Sequence, residues 1–169
     1  MRYRGMLVLT LVAAAGCDDR PPVAGGLLAP VPLTSAGARA YVVQEAGGTA
    51  DRVTLTIHVD AKDIPIAAYQ GRLQFDPDAL EIIEATTPSD GTRLVNAATA
   101  GPGLVKFAGF STEVFGQTAA VRLVVKPLKP IAMANLVASL DVVGEVSGAA
   151  VTKDRLLQAR GIYTAVLAK

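Results

Sequence analysis

Apolar and polar residues alternate one for one from Val53 to Asp60: Val53, Leu55, Ile57 and Val59 fall on one side, Thr54, Thr56, His58 and Asp60 on the other. Side chains of a strand point to opposite faces in turn, so this run predicts a strand with one buried face and an exposed histidine at His58. Shorter runs of the same kind lie at Ala40 to Gln44, Ala67 to Phe75, Leu80 to Thr86, Leu104 to Phe110, Ala119 to Lys126, Leu136 to Val143 and Gly161 to Leu167. No segment holds the spacing of a convincing amphipathic helix. The stretch VTKDRLLQ, Val151 to Gln158, suits a helical turn or an irregular crossover and is read as loop. Eight or nine short strands beyond Ala38 predict an all-β sandwich.

The breaks between runs carry turn chemistry. FDPDAL at Phe75 to Leu80, PSDG at Pro88 to Gly91 and AGPG at Ala100 to Gly103 each place proline or glycine where the chain must reverse. Proline presets φ and glycine accepts positive φ. STEV, Ser111 to Val114, is read as a turn that leaves Phe110 and Phe115 at its rim. Pro127 and Pro130 close the run ending at Lys126, because proline donates nothing to a ladder.

The N-terminus follows a different plan. Arg2 and Arg4 precede an apolar run from Met6 to Ala15 that ends in small residues, the order of a secretory signal. The run is shorter than the roughly 20 apolar residues that span a bilayer as a helix. VAAAGC, Val12 to Cys17, resembles the lipobox of bacterial lipoproteins, with Ala14 where leucine is usual. That resemblance implies that residues 1–16 are removed and that Cys17, the sole cysteine, carries lipid. It also implies a membrane-anchored protein of the cell envelope, on the periplasmic or the surface side. Asp18 and Asp19 resemble a signal for inner-membrane retention, a rule that varies among bacteria. Residues 17–37, with four prolines and repeated glycines, read as a tether, and residues 38–169 as one domain.

Loss of Arg2 and Arg4 leaves fourteen basic residues against fifteen acidic. No basic excess supports nucleic-acid binding. With Cys17 taken by lipid no internal disulfide forms, so stability rests on a hydrophobic core.

Within this frame the order of motifs is specific: the strand VTLTIHVD, the strand AAYQGRLQF, then DPDALEIIEA, with Phe75, Asp76, Pro77, Leu80 and Glu81 at fixed places. This resembles the cohesin family, and LVKFAGFS, AAVRLVVK and the closing GIYTAVL extend the likeness from Ala38 to Leu167. The resemblance implies a cohesin-like jelly-roll sandwich, with an immunoglobulin-like sandwich as the alternative. Cohesins are non-catalytic modules that bind dockerins, small calcium-binding helical partners, through a sheet face. By that likeness the strand at Ala67 to Phe75 lies in the binding face. Alternation turns Tyr69, Leu73 and Phe75 inward and Gln70, Arg72 and Gln74 outward. Gln70, Arg72 and Gln74 are the candidate contact residues. They equally suit a solvated polar face.

Candidate chemistry is sparse. His58 is the only histidine, and no second imidazole completes a metal site or proton relay. Asp60, Asp63, Asp76 and Asp78 lack the dense spacing of a calcium loop and read as turn and cap residues. There is no G-x-S-x-G elbow and no glycine-rich loop entering a helix. Neither an enzyme nor a cofactor is implied. Sugar binding is a competing reading, although the chain has no tryptophan and alternation sends most aromatics inward. The sequence therefore supports a lipid-anchored binding module with a protein partner, a dockerin being one candidate. A carbohydrate-binding module and an envelope structural lipoprotein are the alternatives.

Overall fold

The computed structural model describes residues 37–61, 63–88, 93–115 and 118–164. The expected signal, Cys17 and all of the expected tether but Gly37 lie outside the described residues, as do Ser89, Asp90 and Gly91 of the PSDG turn and the last residues of GIYTAVL. Strands form wherever alternation is strong: β1 Ala38–Gln44, β2 Val53–Asp60, β3 Ile66–Gln74, β4 Leu80–Thr86, β6 Leu104–Phe115, β7 Thr118–Pro127 and β8 Val137–Glu145. One long strand has no counterpart among the predicted runs, β5 Arg93–Gly101. Three short strands follow: β9 Leu156–Leu157, β10 Ala159–Arg160 and β11 Ile162–Thr164. The described strands thus number eleven rather than eight or nine.

They form two sheets packed face to face. One runs β11-β1-β2-β7-β4, with β9 also pairing β1, and the other runs β10-β8-β3-β6-β5. Successive strands repeatedly change sheet, which is the jelly-roll habit. The core between the sheets is filled from both sides by alternating positions, among them Leu55, Ile57, Val59, Leu73, Val105, Val121 and Leu123, all without exposed surface. Burial of each such side chain contributes about 1.5–3 kcal/mol.

The turns follow the expected chemistry where they are described. The Asp78 amide donates to Asp76 Oδ1 at 2.9 Å, and Ala79 and Leu80 return buried to the core. Gly103 adopts a φ of 69°, and its missing side chain admits the Phe75 carbonyl. STEV is not a turn but a bulged part of β6: the ladder to β3 shifts register there, and the strand continues to Phe115, which pairs with Ile66 and is buried. Ser111, also buried, takes an inward place there, and its hydroxyl accepts from the Glu113 amide. A polar residue in a core position hides the period from the sequence. The VTKDRLLQ segment contains a single 3-10 turn, Lys153–Arg155, before β9.

Candidate functional site

Residues from neighbouring strands stand in rows across the outer face of the β8-β3-β6-β5 sheet. The register places Gly144, Ala68, Phe110 and Leu94 in one row, Val142, Gln70, Ala108 and Asn96 in the next, and Ser139, Arg72, Lys106 and Ala98 in a third. Gln74, paired with Val137 and Leu104, ends the face. Gln70, Arg72 and Gln74 are all exposed, and Tyr69 and Leu73 are buried beneath them. The three candidate residues therefore lie along one strand on one open face.

Alternation on β3 alone could not show what stands beside them. Leu94 is 74% exposed, Phe110 56% and Val142 51%, and these three wall a shallow depression of about 350 Å³. Its floor is small, Ala68, Ala108 and Gly109, so the walls rise above it. A second depression of about 290 Å³ adjoins it around Gln70, Lys106 and Asp141. Arg72 is tied to β8 by an ion pair with Asp141 at 3.0 Å and a bond from its Nε to Ser139 Oγ at 3.4 Å. Lys106 has no ionic partner among the described residues. The face thus grades from apolar at the Ala68 end to basic at Arg72 and Lys106. Monomeric proteins seldom leave apolar side chains grouped this way without use.

Rings support this face from below. Tyr69, Phe107 and Phe115 pack edge to face, with Tyr69 centred 6.2 Å from Phe107 and 5.1 Å from Phe115. Each of two rings is received by a glycine directly opposite, Tyr69 by Gly109 and Phe107 by Gly71. A methyl group at Gly109 would overlap the Tyr69 ring, and one at Gly71 would come within 2.6 Å of Phe107. Burial pushes the Tyr69 hydroxyl up to about 12, against the pull of Arg93.

The outer face of the other sheet holds a polar network. Glu45 accepts from the Thr56 hydroxyl and pairs with Arg122 at 2.8 Å. The Thr56 bond, helped by Arg122, holds the Glu45 carboxyl below the usual carboxylate range despite its partial burial. His58 points outward, yet it is not freely exposed as its alternation suggests. Tyr41 stacks on it at 5.4 Å and Tyr163 meets Tyr41 edge-on at 5.7 Å, so outward aromatics on β1 and β11 cover it. Burial lowers the His58 pKa, against the opposite pull of Glu45. Arg39 lies 5.1 Å over the Tyr41 ring and 3.5 Å from Asp60. Of the four aspartates considered for calcium, Asp60 pairs with Arg39 and Asp76 caps its turn. Among the described residues no three His, Cys, Asp or Glu side chains gather as metal ligands.

This two-sheet architecture is a cohesin-like β-sandwich. A cohesin module from a Clostridium perfringens family 33 glycoside hydrolase superposes with a TM-score of 0.54 at 14% identity, covering 77% of this chain and 99% of that one. The sixth cohesin of scaffoldin B from Acetivibrio cellulolyticus, solved with a dockerin, gives 0.53 at 12% identity over 76% of this chain and 99% of that one. A type II cohesin from an adaptor scaffoldin of the same organism gives 0.50 at 9%, covering 76% and 92%. At these identities the likeness is one of fold, and it favours the cohesin-like reading over the immunoglobulin-like one. No protein-family model and no curated protein matches the sequence.

Proposed function

We propose that the chain is a non-catalytic binding module, lipid-anchored to the cell envelope through Cys17, that docks a protein partner on the outer face of β8, β3, β6 and β5. The observation that carries this is the apolar depression walled by Leu94, Phe110 and Val142, continuous with Gln70, Arg72 and Gln74. Apolar anchors with a polar rim are the composition of protein-recognition surfaces. A dockerin is the partner class to test first, because the Acetivibrio cellulolyticus neighbour was solved with one bound.

Polysaccharide is the less favoured ligand. Phe110 is the only exposed aromatic among the described residues, so the face offers one ring for sugar stacking. Calorimetric titration of the Cys17→Ser chain with purified dockerins, with and without calcium, tests the reading. Saturable binding that weakens at least about tenfold in Phe110→Asp, as loss of a central anchor does, supports it. Silence across a dockerin panel together with retention on insoluble polysaccharide would overturn it.

A further inference from the structure

The two sheets present four outer edges, and three of them are protected against pairing. β10 is two residues long, and β11 has three described residues. β4 carries Glu81 and Glu84, and its ladder shifts register between Ile82 and Glu84, which bulges Ile83 outward. Short length, charge and bulges are the usual means of blunting an edge. β5 is nine residues long, and its one charge, Arg93, stands at its very start. From Leu94 to Gly101 it holds no charge and no proline, and its ladder to β6 is regular from Arg93 to Thr99. It is also the only one of the eight long described strands without a buried residue. Among the described residues no further strand lies beyond it in the sheet, and Leu94 near its start is 74% exposed.

We propose that β5 pairs with β5 of a second copy of this chain, antiparallel across a two-fold axis at Asn96. The two five-stranded sheets then join into one. The sequence of the edge suits itself. In this register Leu94 faces Ala98, Val95 faces Ala97 and Asn96 faces Asn96, so each larger side chain meets a small one and no like charges meet. At β4 a two-fold on Glu84 would set glutamate against glutamate, which opposes association. An isologous contact of this kind closes at two subunits. It lays the two apolar depressions side by side on one continuous surface.

Sedimentation equilibrium on the Cys17→Ser chain, free of lipid-driven association, tests the proposal. A dimer is expected at micromolar concentration. The double variant Asn96→Lys with Ala98→Lys, at exposed positions, is expected to be monomeric with an unchanged far-UV circular dichroism spectrum. Asn96→Cys in the same background places two thiols opposite each other, where Cα atoms about 4.5–5.5 Å apart permit a disulfide. It is expected to cross-link on mild oxidation, whereas Ala98→Cys is not. A chain that stays monomeric, a dimer that survives the two lysines, or equal cross-linking from Ala98→Cys overturns the proposal. Dockerin binding is read separately and does not enter these outcomes.

Discussion

Tyr69 brings a hydroxyl into the core with no hydrogen-bond partner among the described residues. An unpaired buried polar group costs about 1–3 kcal/mol. Tyr69→Phe is therefore expected to leave the protein as stable or to raise stability by about 1 kcal/mol, measured as a shift in urea midpoint at constant slope. A loss of stability would show that the hydroxyl is bonded. His58 gives a pH dependence whose sign follows from its cover. Its folded pKa lies below its ordinary value, so the unfolded chain takes up the proton first as pH falls. Stability is full above about 6.5, the unfolded value, and declines below it. Glu45, also held low, adds a further loss once pH falls below the ordinary carboxylate range. Denaturation midpoints between about pH 7 and 5 are expected to fall in the native chain and to fall less in His58→Gln.

At the scale of elements, the central pair β3 and β6 depends on glycine opposite ring. Gly109→Ala forces a methyl group into Tyr69, and overpacking of this sort costs about 1–3 kcal/mol. Combining it with Tyr69→Ala is expected to recover part of the cost of the glycine change, a non-additivity that a double-mutant cycle by denaturation reads directly. Neither glycine can be recognised from sequence, because its role lies in a residue more than thirty positions away. Strands with one buried face were legible, and β2 and β4 begin and end where their alternation does. β5 was not, for a physical reason: its inward residues Arg93, Val95 and Ala97 are only half-buried and its outward ones include the apolar Leu94, so polarity does not alternate along it. The candidate site was legible to the same extent. Gln70, Arg72 and Gln74 emerged from one strand's parity, while Leu94, Phe110 and Val142 join them only through register between strands.

For the whole molecule, the anchoring reading rests on Cys17 and the fold on everything after Gly37. Expressed in a bacterial host, the native chain is expected in the membrane fraction and Cys17→Ser in the soluble envelope fraction, as immunoblots of fractionated cells would show. Equal partition of the two would sink the anchor. The sheet order carries one more consequence. β1, the first described strand, lies between β2 and the late strands β9 and β11, to which it runs parallel. Its second edge stays unpartnered until Leu156 has been synthesised and is filled only when Ile162 follows, so the sandwich completes as its late strands emerge. Domains whose contacts join distant parts of the chain fold slowly. Under the export proposed above, that delay would keep the chain open during synthesis and let it close after delivery.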